Sequence, residues 1–325
     1  MMRRAALALA IAASLIVANA CAQAQTYPSK PVRIMIGYVP GGAADFTARL
    51  IAQRLQMPQH LGQPVVVEAR AGAGSTLAIH RVATSPPDGY TLMLISEGGL
   101  VQTARGAKLP YDLERDLAPV SFVAVGPQAL LVHPNVPARN VKELIALARR
   151  SPGKMSYGSA STGGAQHFAG ELFNLMANVK ILHVPYKGGA QSSVATASGE
   201  IEMSFATIPS ASPFIGNGRL RLLAITLLER VSFLPNTPTI HESGVPGYEQ
   251  AAWYGVMAPA NTPAEIIARL NDAIINVVGT AELKELLNKG GLEARTNTPA
   301  QFAAFVKSQL EKSRKLAKLA GIPAE

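Results

Sequence analysis

The stretch Val32-Arg33-Ile34-Met35-Ile36-Gly37-Tyr38-Val39-Pro40-Gly41-Gly42-Ala43-Ala44-Asp45 joins an apolar strand to a Gly-rich turn and the start of a helix. Phe46, Leu50, Ile51 and Leu55 follow at helical spacing, which predicts a helix with one buried face. Glycine lets the backbone approach a ligand closely, and the first N–H groups of a helix have no partner inside it. The stretch therefore predicts a place where a carboxylate can bind to backbone N–H groups.

A second stretch of the same kind lies further along the chain. Met155-Ser156-Tyr157-Gly158 leads into Ser159-Ala160-Ser161-Thr162-Gly163-Gly164, and an apolar helical pattern begins at Phe168. Either turn alone is typical of an ordinary connection between a strand and a helix. Two such turns, the second of them rich in hydroxyl groups, favour a single anionic ligand held between two lobes.

Short apolar runs alternate with helical patterns along the rest of the chain. The helix starts are marked by capping residues three positions before Glu or Gln, as at Asn140, Thr262 and Thr298. Short, non-alternating apolar runs are typical of strands that are covered on both faces. We therefore expect an α/β protein of two lobes, in which each lobe is a mainly parallel sheet flanked by helices.

Two Gly- and Pro-containing segments are candidate crossings between the lobes. They are Gly126-Pro127 and Gly244-Val245-Pro246-Gly247-Tyr248. These crossings predict a first lobe of residues 25–126 and 248–325 and a second lobe of residues 127–247. One Gly-rich turn then belongs to each lobe, as a cleft between the lobes requires.

The N-terminus has the pattern of a signal peptide. Arg3 and Arg4 precede an apolar run over residues 5–17, which is too short to span a bilayer and is followed by small residues. Cleavage after Ala24 or after Ala20 fits the small-x-small rule, and we favour Ala24. Residues 1–24 are then removed, and we expect the mature chain in the periplasm.

Cys21 is the only cysteine of the 325 residues. Cleavage after Ala24 removes it, which excludes disulfides, cysteine nucleophiles and cysteine metal sites from the mature chain. The alternative is a lipoprotein anchored through Cys21. The formal net charge is +9, but the basic residues are scattered and the six histidines form no metal-binding motif. We therefore expect no cofactor, no metal, no nucleic-acid partner, and a monomer.

Ordered motifs over nearly the whole mature chain resemble the Bug family of periplasmic solute-binding receptors, which is associated with tripartite tricarboxylate transporters. The motifs are Tyr27-Pro28-Ser29-Lys30-Pro31, Pro40-Gly41-Gly42, Leu61-Gly62-Gln63-Pro64, Pro87-Asp88-Gly89-Tyr90, Leu109-Pro110-Tyr111-Asp112, Tyr157-Gly158-Ser159, His183-Val184-Pro185-Tyr186-Lys187-Gly188, Thr237-Pro238-Thr239 and Pro246-Gly247-Tyr248-Glu249. The resemblance implies a Venus flytrap of the periplasmic binding protein type, a two-lobed receptor that closes on a small carboxylated ligand and presents it to membrane permease subunits.

The resemblance also implies which residues hold the ligand carboxylate, through backbone groups and ordered waters of the two turns. In this sequence they are Val39, Pro40, Gly41, Gly42, Ala43 and Asp45 in the first turn, and Ser159, Ser161, Thr162, Gly163 and Gln166 in the second. His167 follows the second turn and is a further candidate, since its ring could donate to a ligand. A structural role is the alternative for two of them. Asp45 can offset the helix dipole, and His167 can bond to a neighbouring carbonyl group.

Further candidates follow other strands. Phe205, Ala206 and Thr207 end a strand and can form a wall of the cleft, and Tyr186 precedes another Gly-Gly turn. Ser96-Glu97-Gly98-Gly99 stands where the resembled family often has Asn-Pro. Glu97 inside the cleft would favour a ligand hydroxyl or amine over a second carboxylate, whereas outside the cleft it is only a solvated charge.

Two other functions remain open from the sequence. A receptor of the same fold could feed a sensor protein instead of a permease. An exported hydrolase built from Ser161, His167 and Asp45 is disfavoured, because Ser161 and His167 are six positions apart and do not share a helix face. The Gly158–Gly164 segment also lacks the Gly-x-Ser-x-Gly motif of a nucleophile elbow. We therefore expect a receptor and not an enzyme.

Overall fold

The computed structural model describes residues 27–160, 162, 164–186 and 188–319. The predicted signal peptide with Cys21, and also Ser161, Gly163 and Lys187, lie outside these described residues. The strands are β1 (Val32–Ile36), β2 (Val65–Ala69), β3 (Thr91–Ser96), β4 (Leu117–Val132), β5 (Ser156–Ser159), β6 (Leu182–Pro185), β7 (Met203–Thr207), β8 (Arg221–Ile225), β9 (Ala251–Pro259) and β10 (Glu293–Ala294).

The α-helices alternate with these strands. They are α1 (Ala43–Leu55), α2 (Thr76–Ala83), α3 (Glu97–Ala104), α4 (Leu113–Asp116), α5 (Val141–Arg150), α6 (Ala165–Ala177), α7 (Gly189–Ser198), α8 (Ile208–Gly216), α9 (Ala264–Val278), α10 (Ala281–Lys289) and α11 (Pro299–Leu319). Among the described residues, no helix combines the length and the apolar character needed to cross a bilayer.

The first sheet is centred on β1, which pairs in parallel with β2 and β3. The antiparallel strand β9 follows β3, and β4 lies antiparallel to β9. Ile34 and Ile36 of β1 are buried against one layer of helices, which includes α1 and α9, whereas Met35 is buried on the other face against α2. The short apolar runs of the sequence are therefore strands covered on both faces, as predicted.

The long strand β4 belongs to two sheets. It pairs with β9 as far as Pro127, which lies opposite Ala251, and with β7 from Gln128, which lies opposite Thr207. In the second sheet, β5 lies between β6 and β7 and is parallel to both, and β8 pairs with β4. Pro127 is the last residue of the ladder with β9, where a missing N–H removes no interior hydrogen bond.

Each sheet is mixed, which differs from the predicted mainly parallel arrangement. The three-stranded parts β2-β1-β3 and β6-β5-β7 are parallel, and the antiparallel pairs all involve β4 or β9. The physical reason is that β4 passes between the sheets as one extended strand, so its direction relative to β9 and β7 is fixed and is antiparallel to both. A parallel pair would have needed a crossover helix between the two strands.

Helix α11 packs against both halves of the molecule. Phe302, Val306 and Leu310 lie in the core beneath the first sheet, whereas Leu316 and Ala317 lie in the core of the second sheet. The helix therefore spans the two sheets on the outside while β4 joins them on the inside.

Candidate functional site

A cavity of about 820 Å³ lies where the two sheets meet. The starts of five helices line it, and these helices follow β1, β3, β5, β6 and β7. Ligands of open α/β sheets bind in this position, beyond the carboxyl ends of the strands. The residues that the five helix starts place in the lining are Gly42 and Ala43 of α1, Glu97 and Gly98 of α3, Gly164 and Ala165 of α6, Gly188 and Gly189 of α7, and Thr207 and Pro209 of α8.

These five helices have no side-chain cap. Gly42, Ser96, Gly164, Gly188 and Thr207 stand at their N-cap positions, and none accepts a hydrogen bond from the helix with its side chain. Among the helices that start away from the cavity, α4, α5 and α10 have an N-cap side chain that accepts a hydrogen bond from the helix. Helices α2 and α9 have none. The free N–H groups at the cavity, together with the helix dipoles, give it the character of an anion-binding site.

The first Gly-rich turn is held by Asp45. Its Oδ2 accepts a hydrogen bond from the Gly41 N–H at 3.0 Å, and its Oδ1 accepts one from Arg49 Nε at 2.8 Å. The Arg49 guanidinium is the main cause of the lowered pKa of Asp45, and the Gly41 N–H adds to it. Gly41 has φ +91°, a conformation that favours glycine. Asp45 therefore shapes the turn and does not itself line the cavity.

Gln166 holds the second Gly-rich turn, as Asp45 holds the first. Its Oε1 accepts a hydrogen bond from the Ala160 N–H at 2.7 Å, and its side chain also lines the cavity. The first backbone hydrogen bonds of α1 and α6 run from Phe46 to Gly42 and from Phe168 to Gly164. The N–H groups of Ala43 and Ala165, the first residues of the two helices, consequently have no partner within their helices.

Glu97 lies inside the cavity wall. It is 3% exposed, and its Oε1 accepts a hydrogen bond from Gln250 Nε2, whereas its buried Oε2 has no hydrogen-bond partner. Burial raises the pKa of the Glu97 carboxyl to about 8, and the positive charge of Lys312 opposes this shift. Of the two positions that the sequence left open for Glu97, the structure has the one in the cleft lining.

Two more buried polar side chains in the lining carry an unpartnered atom. They are Gln128, through Oε1, and Trp253, through Nε1. Gln128 is connected to the surroundings of Glu97, because its N–H donates to Thr226 Oγ1 at 2.8 Å and the Gln250 N–H donates to the Thr226 carbonyl at 2.8 Å. Trp253 also packs edge-on against Phe302 in the core of the first sheet.

His167 lies behind the cavity in a network of the second sheet. Its ring stacks on His183, with the ring centroids 3.7 Å apart, and the Nε2 of His183 is 2.6 Å from Ser159 Oγ. Burial lowers the pKa of His167 to about 3, with His183 and Arg105 adding to the effect. Burial also lowers the pKa of His183 to about 4. Both rings are therefore neutral at pH 7 and supply no positive charge for an anion.

The predicted site residues fall into three groups. Those that line the cavity are Val39, Gly41, Gly42, Ala43, Ser96, Glu97, Gln166 and Thr207. Those that the structure has elsewhere are Pro40, Asp45, Ser159, Thr162, His167, Tyr186, Phe205 and Ala206. Ser161 and Gly163 lie outside the described residues.

The residues outside the lining have other surroundings. Phe205 and Ala206 are fully buried in the cores on the two faces of the second sheet, because successive residues of a strand point to opposite faces. The Tyr186 hydroxyl donates to Glu200 Oε1 at 2.9 Å. Val39, by contrast, is 68% exposed and belongs to the lining.

Sequence reasoning missed Gln128 and Gln250. Both follow a candidate crossing, Gln128 directly after Gly126-Pro127 and Gln250 shortly after the segment that ends at Tyr248. Since a ligand between two lobes must meet the connecting segments, a polar residue beside each crossing was the available signal. In the part of the chain that the structure describes, no group of three or more His, Cys, Asp or Glu residues is arranged to hold a metal ion.

Comparisons with known proteins agree with this architecture. A family model described as "Tripartite tricarboxylate transporter family receptor" matches residues 47–322. The chain is 33% identical over 291 residues to Protein BugT of Bordetella pertussis, covering 89% of this chain and 89% of that protein.

Two solved structures carry a ligand in their descriptions. One is R. palustris Rpa4515 with adipate, with a TM-score of 0.81 and 34% identity over 91% of this chain and 99% of that one. The other is MatC from Rhodopseudomonas palustris with bound malate, with a TM-score of 0.77 and 28% identity over 89% of this chain and 99% of that one.

Proposed function

Because this chain belongs to the tripartite tricarboxylate transporter family of receptors, to which the Bug proteins also belong, we propose that it captures a small carboxylate between two lobes and delivers it to membrane permease subunits. The family is one of solute-binding receptors and not of enzymes. The proposed lobes are residues 25–126 with 248–325, and residues 127–247. The change of partner along β4, from β9 to β7 at Pro127 and Gln128, supports this division.

The observation that carries the proposal is the set of five helix starts around one cavity. Their N-cap residues leave backbone N–H groups free, and no Lys, Arg or His is among the described residues of the lining. A carboxylate can therefore be bound by backbone groups and helix dipoles without an ion pair. The adipate and malate in the two related structures are acids of the size that such a cavity would accept.

A receptor that feeds a sensor protein is the second candidate, since the capture of the ligand would be the same. The two functions differ only in the partner that recognises the closed form. A permease encoded beside this protein, and loss of uptake of the ligand when the receptor is deleted, would support transport.

The anion site can be tested by deleting single N–H groups. Ala43 and Ala165 are the first residues of α1 and α6, a position where proline is well tolerated because its missing N–H has no partner within the helix. Gly42 and Gly164 before them have ψ near 170°, which suits a residue that precedes proline. Ala281, the first residue of α10, lies away from the cavity and provides the matched control.

We expect Ala43→Pro and Ala165→Pro each to weaken carboxylate binding by about 10- to 100-fold, the effect of losing one hydrogen bond to a charged group. Ala281→Pro should bind like the wild type. Calorimetry with adipate, with malate and with any acid recovered by mass analysis from natively purified protein measures these affinities. The proposal would be contradicted if all three folded variants bound the acid as tightly as the wild type. A retained natural ligand that has no carboxylate would also contradict it.

A further inference from the structure

Two buried oxygen atoms in the cavity wall have no donor. They are Glu97 Oε2 and Gln128 Oε1, and both side chains are at least 97% buried and line the cavity. A buried polar oxygen without a hydrogen-bond partner, whether protonated or not, is costly, so native proteins rarely keep one unless something else supplies the hydrogen bond. Glu97 and Gln128 line the same cavity, and their backbones are linked through neighbours, because the Gln250 side chain donates to Glu97 and the N–H groups of Gln250 and Gln128 both donate to Thr226.

The charge of the cavity wall also favours a hydrogen-bond donor on the ligand at this place. Glu97 is the only carboxyl group among the described residues of the lining, and those residues include no Lys, Arg or His. A second carboxylate on the ligand would hold the Glu97 carboxyl in its protonated form, because no Lys, Arg or His of the described lining could offset two adjacent negative charges in a buried site. A positively charged or hydrogen-bond-donating group would satisfy both free oxygens.

We infer that Glu97 and Gln128 form a subsite for an ammonium group, so that this receptor selects an amino carboxylate over a dicarboxylate. This inference rests on the proposed function, in which the helix starts bind the ligand carboxylate. An ammonium group has three N–H donors, which is enough for both oxygens. Gln250 positions the Glu97 carboxyl from the other side.

The proton of Glu97 accompanies this selection. In the empty cleft, burial keeps the carboxyl protonated at neutral pH, since its pKa is about 8. The charged and titratable groups around it are Lys312 and the hydroxyls of Tyr38, Tyr248 and Tyr254. Burial raises the pKa of all three tyrosines, so they stay neutral. An ammonium ligand favours the ionised form of Glu97, and its binding then releases one proton to solvent.

A panel of acids with matched chain length tests the inference. Hexanoate, 6-hydroxyhexanoate, 6-aminohexanoate and adipate differ only in the group at the end opposite their common carboxylate. The same series with four and five carbons tests shorter distances between the two ends of the ligand. Calorimetry should show the amino acid of at least one length binding about tenfold or more tighter than the diacid of equal length. Between pH 6 and pH 8, its affinity should rise about tenfold per pH unit, and the affinity of the alkanoate should not.

Glu97→Gln keeps the shape of the side chain and removes its charge. In this variant we expect the amino acid to bind about 10- to 100-fold more weakly and its pH dependence to disappear, while the alkanoate binds as in the wild type. Gln128→Leu should also weaken the amino acid. Glu285→Gln, on the exposed surface of α10, is the matched control and should change none of these affinities.

The outcomes separate this inference from the proposed function. Tighter binding of the diacid, or an unchanged preference in folded Glu97→Gln, overturns the subsite and leaves the receptor function standing. Normal carboxylate affinity in Ala43→Pro and Ala165→Pro, with a preference that still depends on Glu97, overturns the helix-start site and supports the subsite. If neither the acids of the panel, nor malate, nor any acid recovered from natively purified protein binds to the wild type, both are wrong.

Discussion

Replacing Glu97 by glutamine should stabilise the empty protein at neutral pH. The folded chain holds the Glu97 proton up to a pKa of about 8, whereas an exposed glutamate releases it near 4.5. The unfolded state therefore binds fewer protons between these two values, and the stability of the wild type falls as the pH rises through this window. Glutamine resembles the protonated carboxyl in shape and does not titrate, so the variant avoids this loss.

The size of the effect follows from the two pKa values. Each unit between them corresponds to about 1.4 kcal/mol, which gives a stabilisation of about 3 kcal/mol at pH 7 and about 5 kcal/mol above pH 8. Glu97 is 3% exposed, so solvent does little to screen its charge. At pH 4 the wild type and the variant should be equally stable.

Urea unfolding followed by the fluorescence of Trp253, the only tryptophan, provides the measurement. The difference in unfolding free energy between Glu97→Gln and the wild type should grow steadily from pH 5 to pH 8. Glu285→Gln should gain no stability at any pH, because Lys289 already lowers the pKa of that exposed carboxyl. A difference that does not vary with pH, or a less stable Glu97→Gln at pH 7, would show that Glu97 is ionised in the folded protein.

Three further predictions concern the first turn and the N-terminus. Gly41→Ala should lower the unfolding free energy by about 1 kcal/mol because Gly41 has φ +91°, whereas Gly42→Ala, with φ −86° and open space around its Cβ, should not; thermal unfolding compares the two. Asp45→Asn should destabilise the protein more at pH 7 than at pH 3, since the lowered pKa of Asp45 means that its ionised form stabilises the fold fully above its ordinary value of 3.8 and progressively less below it; equal losses at both pH values would refute this. The exported form should begin at Gln25 by N-terminal sequencing, and an acylated Cys21 would show a lipoprotein instead.

The sequence predicted the helix starts of the site because they depend on local rules. A glycine before an amphipathic helix leaves N–H groups free wherever the helix stands, and Gly42 and Gly164 do so in the structure. The two-lobed α/β fold, with parallel strands joined by helices, followed from the same local patterns. These features involve neighbours in the chain, which periodicity and capping rules can describe.

The sequence did not predict the features that depend on distant neighbours. Gly126-Pro127 was predicted as a crossing between the lobes, but no local pattern indicated that a single strand, β4, runs through it with β9 and β7 as partners on either side. His167 lies next to the second turn in the chain, but His183 from β6 holds its ring behind the cavity. The partner of Glu97 is Gln250, which is 153 residues away. No local pattern contains these pairings, since tertiary packing alone brings the residues together.

The unbroken course of β4 has a mechanical consequence. One continuous strand carries the backbone from one sheet to the other, so any rotation of the sheets against each other must include torsion of β4 near Pro127 and Gln128. Residues close to this axis of rotation in β4 move least, and residues far from it move furthest. Gln128, which lies at the axis and in the cavity wall, would therefore keep its place as the cleft changes width. A ligand could engage this end first, and the helix starts on the opposite lobe would reach it last.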